Sequence, residues 1–316
     1  MFFRSYTLMP LVSIVIPTYN RKSFVVKTID SLLKQESDDY ELIVVDDGST
    51  DDTEEHFKSF SHPKVSYHKI ANSERGYARN FGARQAKGEY VNFFDSDDLA
   101  YPNHVKHAVD FISAKNKPEV FHLDYDIKTP EGDDVPFTRI SDSEIGKWLI
   151  DHGNVLSCNG VFIRKDIAEQ FPFCESRILS GTEDYALWLR LSSRFKIWRV
   201  PGATSTIINH ELRSMASHDV VKLINRNMFL LDYLQNDEHF MYYVGENFNL
   251  LESECFSYIA LHIVLAGNNK QGFNFLLKAL KADRTFPFRG VRFMAIIKHM
   301  GRNILGRNTA SLVEAG

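Results

Sequence analysis

The segment GEYVNFFDSDD, Gly88–Asp98, joins a short apolar run directly to a group of acids. The run contains Val91, Phe93 and Phe94, and such a run predicts a buried strand of an α/β sheet. Only Ser96 separates the three carboxylates that follow, which are Asp95, Asp97 and Asp98. Open α/β sheets bind ligands beyond the carboxyl ends of their strands. The segment therefore predicts an acidic site at the end of one strand.

Two interpretations of this acidic group remain open. Crowded carboxylates repel one another unless a cation lies between them, and Mg²⁺ or Mn²⁺ takes oxygen ligands together with substrate phosphates. Aspartate is also a good helix N-cap and turn former, so the same residues are compatible with a plain turn. Short acidic motifs have many false positives, and this segment alone does not separate the two.

Strands and helices alternate in the residues before this segment. Apolar runs predict strands in LVSIVIPTYNR, in ELIVVDDGSTDDT and near Val65–Ile70. Helical spacing predicts one helix over Ser23–Gln35, capped by Ser23, and another that ends at Gly88. Such alternation is typical of a parallel sheet with right-handed crossovers. The polar loops at the carboxyl ends of the strands should then meet at one site: those after Pro17, Val45 and Phe94.

Four motifs in this order resemble the family 2 glycosyltransferases of the GT-A fold. They are VSIVIPTYNR, VVDDGSTDDT, the run from ARNFGARQAKGEY to FFDSDD, and SGTEDYALWLRL, and they cover about Leu11–Arg213. Four motifs in sequence are far more specific than any one of them. The resemblance implies a Rossmann-like α/β fold with a mixed, mainly parallel sheet flanked by helices. It also implies transfer of a sugar, with inversion, from a nucleotide diphosphate donor that is usually UDP-linked.

The resemblance also assigns roles on the donor side. It implies that Asp47 binds the base, whereas Asp46 takes either a structural role or a ribose contact. Asp95 would contact the ribose or the water shell of the metal, with Ser96 beside it. The nucleotide pocket would be lined by Pro17, Thr18 and Tyr19.

A metal ion, Mn²⁺ or Mg²⁺, is implied next to the diphosphate. The resemblance makes Asp97 its direct ligand and offers His210 as a second one, with Arg213 and Ser214 near phosphate. A lone histidine is more often a packing or surface group, so that role for His210 stays open as well. Arg79 either reaches the diphosphate or braces the acidic pair, and the plainer alternative is a helix-face arginine paired with Asp95 or Asp98.

The pair Glu183–Asp184 is the candidate catalytic motif. It falls in the first turn of a predicted helix, where the positive helix end favours carboxylates. An acceptor hydroxyl must lose its proton as it attacks the anomeric carbon, so a general base is needed there. The resemblance makes Asp184 that base and gives Glu183 an orienting role. The plainer alternative is that both acids only complement the helix dipole.

Composition and charge fit an ordinary globular chain. The 316 residues are 44% hydrophobic and 25% charged, with a formal net charge of −4 that argues against a nucleic-acid binder. Three cysteines match neither a disulfide framework nor a zinc pattern, which favours a reducing cytoplasm. The N-terminal residues lack the apolar core of a signal peptide, and no uninterrupted apolar run is long enough to predict a transmembrane span.

We predict a GT-A catalytic domain over residues 10–218, with a nucleotide-binding half (10–98) and an acceptor-binding half (99–218). Residues 219–316 are predicted to form a helical region. Its segment 284–307 is basic and acid-free, and the spacing of Phe293, Ile297, Met300 and Ile304 predicts an amphipathic helix. Such a helix suits the inner face of an anionic membrane, where a polyprenol-linked acceptor would lie. Packing within the protein or an oligomer is the alternative.

The expected activity is a metal-assisted, inverting single displacement from a UDP-sugar to a hydroxyl of a glycan or polyprenol-linked acceptor. Bacterial surface polysaccharide synthesis is the setting that we expect for it. Two rival classes remain. A nucleotidyltransferase also uses acids and a metal, but IPTYNR lacks the expected glycines. A non-catalytic sugar- or partner-binding module on the same fold is the other rival.

Overall fold

The computed structural model describes residues 9–137, 144–210, 219–288 and 291–313, with the side chains of the last helix described up to Leu305. The chain divides into two compact units. Residues up to Gly146 together with Val155–Arg213 form a sheet unit, and Lys147–Asn154 together with the residues from Ser214 onward form a helical unit. The functional division predicted over residues 10–98, 99–218 and 219–316 stays a prediction.

Among the described residues, the sheet unit contains eight strands. They are β1 (Val12–Thr18), β2 (Tyr40–Asp46), β3 (Val65–Lys69), β4 (Tyr90–Phe93), β5 (Leu99–Ala100), β6 (Val120–Lys128), β7 (Val161–Arg164) and β8 (Ile197–Ile208). Their order in the sheet is β3-β2-β1-β4-β7-β6-β8-β5. Strands β3, β2, β1 and β4 are parallel, while β7 and β5 run antiparallel to their neighbours. The predicted mixed, mainly parallel α/β sheet is confirmed.

Helices alternate with these strands as predicted. Between Lys22 and Ser192 the described helices are α1 (Lys22–Leu32), α2 (Thr53–Ser59), α3 (Arg75–Gln85), α4 (His104–Ala114), α5 (Ile145–His152), α6 (Lys165–Gln170) and α7 (Glu183–Ser192), and most of α5 belongs to the helical unit. Two boundaries were predicted wrongly. Helix α1 begins before Ser23, with Arg21 at the N-cap position, and α3 ends at Gln85 rather than Gly88.

Helix α3 lies close to the sheet because Gly82 faces it. A Cβ atom at position 82 would overlap the side chain of Val15 on β1 and would lie 3.1 Å from Val45 on β2. The absent side chain therefore lets the helix approach the strands. The same helix carries Arg79 one turn earlier, so this close contact also sets the position of that arginine.

The helical unit contains α8 (Val220–Gln235), α9 (Glu238–Val244), α10 (Phe248–Leu265), α11 (Asn269–Ala282) and α12 (Arg292–Val313). Its core joins α10, α11 and α12 through residues such as Ile263, Leu276 and Ile296. Among the described residues, Glu238–Leu265 is the one stretch whose length and composition would allow it to cross a membrane, and 56% of its most apolar window is buried inside the protein. That burial is typical of a core helix.

The four residues predicted as one stripe on the last helix differ in exposure. Phe293 and Met300 pack against the core of the helical unit, whereas Ile297 and Ile304 are exposed. The membrane contact predicted for this helix stays a prediction. Arg289, Arg307, Arg213 and Ser214 lie outside the residues whose side chains are described.

Candidate active site

The loops that follow β1, β2 and β4 meet at one edge of the sheet, as predicted. The backbone amide of Asn20 donates to Ser49 Oγ at 2.9 Å, and Asn20 Oδ1 accepts from the amide of Thr50 at 2.7 Å. Arg21 Nη1 donates to Asp97 Oδ2 at 2.6 Å. These contacts bring the first, second and fourth strand ends together, because each loop supplies a group that another loop binds.

Each acid of the DSDD segment has its own polar partner. Asp95 accepts from Arg79 at 2.8 Å, and Asp97 accepts from Arg21. Asp98 is fully buried and accepts from Asn159 Nδ2 and from the amide of Ile208, both at 2.9 Å. The repulsion expected among these carboxylates is therefore relieved by arginines and neutral donors. The bond from Ile208 to Asp98 holds the end of β8 beside the site, while Asp95 and Asp97 contact the two arginines.

Arg79 joins the donor-side acids to the acceptor-side acids. Its Nη1 donates to Glu183 Oε1 at 2.5 Å and its Nη2 to Asp95 Oδ1 at 2.8 Å, although only 2% of its side chain is exposed. Burial opposes its charge, but the surrounding groups raise the pKa of Arg79 well above its ordinary value. The contact with Asp95 is the one that the plainer alternative predicted, and the contact with Glu183 was not predicted. A role for Arg79 toward the diphosphate stays a prediction.

Glu183 and Asp184 have different surroundings although they are adjacent. Glu183 is buried and accepts from Arg79 and from the backbone amide of Gly181 at 2.5 Å. Asp184 accepts from the backbone amide of Tyr185 at 2.7 Å, and the Cys158 thiol lies 3.9 Å from its Oδ2. Burial, and then the charge of Glu183, raise the pKa of Asp184 to about 6. A carboxylate with such a pKa is suited to accept a proton near neutral pH.

Asp46 and Asp47 are the second adjacent pair, at the end of β2. Asp46 is fully buried, and its two oxygens accept from the amide of Ser49 at 2.7 Å and from Tyr67 Oη at 2.5 Å. Asp47 accepts from the amides of Ser73 at 2.6 Å and Glu74 at 2.9 Å. Burial raises the pKa of Asp47, and these hydrogen bonds counteract part of the rise. For Asp46 the contacts favour the structural role over a ribose contact.

The remaining predicted donor residues lie around the same edge. Pro17 is half-buried and Tyr19 is exposed, while Ser96 is buried. Thr18 is buried too, and its Oγ1 has no hydrogen-bond partner among the described residues. A buried hydroxyl without a partner costs free energy, so a bound polar ligand would satisfy it.

The residues near Asp97 fit a divalent cation in part. Asp97 Oδ2 and His210 Nε2 lie 3.2 Å apart, which is the spacing of two neighbouring ligands at about 2.1 Å from one ion. His210 stacks on Phe24, which fixes its ring plane. Among the described residues no three His, Cys, Asp or Glu side chains form a metal site, so phosphate oxygens and water would have to complete the shell. Arg21 already contacts the same Asp97 oxygen.

Sequence reasoning missed two residues next to this site. Arg21 is the last residue of the IPTYNR motif. Nothing in the spacing of the sequence motifs indicated that it would pair with Asp97, which lies 76 residues later in the chain. Glu74 has φ 74°, a left-handed value that is strained for a residue with a side chain. Its carboxylate accepts from Arg177 and Ser180, both at 2.9 Å, which links the loop after β3 to the segment before α7.

The family model described as Glycosyl transferase family 2 matches residues 13–170, which is half of the chain. The chain belongs to this family. The family 2 chain is 33% identical over 218 residues to an uncharacterised glycosyltransferase of Rickettsia typhi, covering 65% of this chain and 63% of that one. It spans between 28% and 63% of the length of the Rickettsia relatives that it matches.

Solved structures share the fold of this family 2 chain. The structure of Staphylococcus aureus TarS 1-349 in complex with UDP-GlcNAc gives a TM-score of 0.57 at 19% identity, covering 87% of this chain and 91% of that one. The mannosyltransferase PcManGT from Pyrobaculum calidifontis, in complex with GDP-Man and Mn²⁺, gives 0.52 at 16% identity, covering 94% and 88%. At these identities the likeness concerns the fold alone.

Proposed function

We propose that this family 2 chain transfers a sugar from a UDP-sugar to an acceptor hydroxyl in a single displacement with inversion. The observation that carries the proposal is the bridge made by Arg79, which holds Asp95 of the DSDD segment and Glu183 of the helix α7 motif. One buried guanidinium thereby links the acids proposed for the donor to the acids proposed for the acceptor. The link holds both sets of acids close to one another, where a donor and an acceptor would meet.

On the donor side, the nucleotide would lie over the ends of β1, β2 and β4. We assign the base contact to Asp47 and the lining of the pocket to Pro17, Thr18 and Tyr19. The unpartnered Thr18 hydroxyl supports that lining role. Asp95 and Ser96 would contact the ribose side, while Asp46 would keep the loop after β2 in shape through Ser49 and Tyr67.

On the acceptor side, Asp184 would take the proton of the attacking hydroxyl. Its raised pKa supports this role. A carboxylate with a pKa of about 6 is mostly ionised at neutral pH, and it is more basic than an ordinary aspartate, so it can accept the proton of the hydroxyl. Glu183 would keep Arg79 and the first turn of α7 in place through its two hydrogen bonds. The configuration at the anomeric carbon is inverted because the hydroxyl attacks from the face opposite the nucleotide in one step, without a covalent intermediate.

Asp97 and His210 would hold Mn²⁺ or Mg²⁺, which when bound neutralises the charge on the departing diphosphate. Arg21 contacts Asp97 at the same oxygen, so it would share that oxygen with the ion or turn toward the diphosphate. The neighbour solved with GDP-Man and Mn²⁺ supports a metal-assisted reaction on this fold.

We further propose a glycan or polyprenol-linked acceptor, and a role in bacterial surface polysaccharide synthesis. Such an acceptor would place the chain in the cytoplasm, at the inner face of the plasma membrane. This chain is 40% identical over 105 residues to chondroitin synthase of Escherichia coli, and that similarity supports a polysaccharide product.

The proposal is tested by thermal unfolding in a panel of nucleotide sugars with and without Mn²⁺. Saturation at one hundred times the Kd should stabilise the protein by about 2.7 kcal/mol, and a UDP-sugar should give the largest shift. Asp97→Ala should lose the part of the shift that depends on Mn²⁺, whereas Asp110→Ala, at an exposed acid of α4, should keep it. UDP release with an acceptor glycan should follow the same donor preference. No shift with any nucleotide sugar would refute the assignment.

A further inference from the structure

The end of the helical unit carries its charge in an unusual distribution. Residues 219–283 contain eight acids and five lysines or arginines, whereas residues 284–313 contain six lysines or arginines and no acid. The chain as a whole has a net charge of −4. Positive charge is therefore concentrated in one short stretch of an otherwise acidic protein. Charge of one sign on one element attracts partners of the opposite sign.

The same stretch exposes large apolar side chains. Phe288 is 89% exposed, Val291 86% and Met294 63%. Further along α12, Ile297, Ile304 and Leu305 are exposed as well. Scattered single apolar residues are normal on a protein surface, but several close together in one short stretch mark an interaction site. We call these six residues, together with the exposed Lys298 and Arg302, the tail surface.

The face of α12 that carries Phe293, Ile296 and Met300 already has its partners inside the helical unit. Ile296 is fully buried, and Phe293 and Met300 pack against the same core. Arg292 on that side pairs with Glu254 and donates to Ser257 Oγ at 3.1 Å. Helix α12 is thus held in place by one face, and the tail surface can bind something else without unfolding the helix.

We propose that the tail surface binds the surface of an anionic lipid bilayer. Its apolar side chains would enter the boundary between headgroups and acyl chains, and Lys298, Arg302 and Arg284 would meet the lipid phosphates. The partly buried stretch Glu238–Leu265 remains in the core of the unit, so the attachment is peripheral. The inference goes beyond the proposed transfer reaction and does not depend on the identity of the donor.

A second copy of the chain suits this surface less well. In a two-fold symmetric pair the same surface lies on both partners, so its basic residues would face each other with no acid in the stretch to pair with. Lipid phosphates provide the missing negative charge. The bilayer also accepts a flexible set of apolar side chains without the close shape match that a protein partner requires.

The test is co-sedimentation of the full chain with vesicles of phosphatidylcholine, with and without phosphatidylglycerol. We expect binding that needs the anionic lipid and weakens as salt is raised, because ions screen the attraction. Lys298→Gln with Arg302→Gln should lower the partition coefficient about thirtyfold. Met294→Gln with Ile297→Gln and Ile304→Gln should abolish binding.

Matched controls use exposed residues of the same unit outside the tail surface. Lys222→Gln with Lys270→Gln removes two exposed charges, and Tyr242→Gln with Phe273→Gln removes two exposed apolar groups. Both controls should bind vesicles as the parent does. Circular dichroism checks that every variant is folded, and UDP-sugar binding should be the same in all of them. If neither the parent nor the variants bind a UDP-sugar, that result counts against the proposed function. The vesicle experiment still decides the inference about the tail surface.

The inference is overturned if the parent chain does not bind anionic vesicles, or if the tail-surface variants bind as tightly as the parent. It is also overturned if the parent forms a dimer that the tail-surface variants abolish while vesicles do not compete. In that case the surface belongs to an interface between two copies.

Discussion

Two pairs of adjacent acids lie at this sheet edge, and they differ in the groups that contact them. Asp47 accepts two backbone amides and the amide group of Asn72, and Asp46 is held by Ser49 and Tyr67. Asp184 accepts from the backbone amide of Tyr185, and the Cys158 thiol lies beside its other oxygen. The same acid pattern therefore gives one pair that organises a loop and another that contains a candidate base.

The difference teaches that burial raises the pKa of a carboxylate in both pairs and that the surrounding groups set how far it rises. Hydrogen bonds to the charged form keep a carboxylate ionised, while burial beside another acid favours its protonated form. Burial of Cys158 raises the pKa of that thiol well above its ordinary value, so it remains neutral and adds no charge near Asp184. Five substitutions or titrations separate the two pairs experimentally.

The largest effect is expected for Asp184→Asn. Losing the general base should reduce kcat by about a hundred- to ten-thousandfold while donor Kd changes little. Steady-state kinetics and calorimetric titration of the donor give the two numbers. Asp166→Asn is the control, because Asp166 also lies in the first turn of a helix but is exposed and paired with Arg164. If the two variants behave alike, the acids only complement helix dipoles.

The next effect is on the pH dependence of turnover. Because the base must be ionised, kcat should fall about tenfold per pH unit below the pKa of Asp184, which lies at about 6, and level off above it. Donor affinity should not follow the same curve. A rate that is flat between pH 5 and about 7 would contradict the assignment of the base.

A third effect concerns stability. Folding raises the pKa of Asp184 from 3.8 to about 6. The free energy of unfolding should therefore fall as the pH rises from 3.8 through about 6, because the folded state binds the proton more tightly than the unfolded state. Asp184→Asn should therefore raise the free energy of unfolding at pH 8 by about 1–3 kcal/mol, the lower values applying because the residue is partly exposed. Below pH 3.8 the gain should vanish. Urea unfolding at both pH values measures it.

The opposite sign is expected for Asp47→Asn. An amide cannot accept both backbone donors, so the loop at Ser73 and Glu74 should loosen and the free energy of unfolding should fall by about 1–2 kcal/mol. Donor Kd should rise about tenfold with little change in kcat. A variant that loses kcat but keeps donor affinity would move the base to this pair.

The smallest effect is expected for Tyr67→Phe. The Tyr67 hydroxyl donates to Asp46 Oδ2, and the partial exposure of Tyr67 lets water replace much of that bond. The free energy of unfolding should fall by about 1 kcal/mol, and both kcat and donor Kd should stay within twofold of the parent values. A large rise in donor Kd would instead support a ribose contact for Asp46.

Much of the fold was predictable because its signals are local. Apolar runs such as Val91–Phe94 and the helical spacing after Ser23 indicate element types without any knowledge of the rest of the chain. The meeting of the three loops followed from the geometry of parallel strands. Helix ends were less accurate, since α1 begins at Lys22 without a side-chain cap.

Partners across long sequence distances were not predictable. The pairing of Arg21 with Asp97, and the choice of Glu183 as the second partner of Arg79, depend on how loops pack. The last helix shows the same limit, because spacing cannot tell which residues of an apolar stripe pack against the core and which are exposed. The pKa of Asp184 likewise depends on burial that only the folded chain has.

The missing side chain at Gly82 has a further consequence for how this protein tolerates change. Any larger residue there would push against Val15 and move α3, and with it the guanidinium one turn away that braces both acidic motifs. In a saturation mutagenesis screen, position 82 would therefore look as intolerant as a substrate-contacting residue. Its effect would come from the distance between a helix and a sheet, without any contact to a sugar.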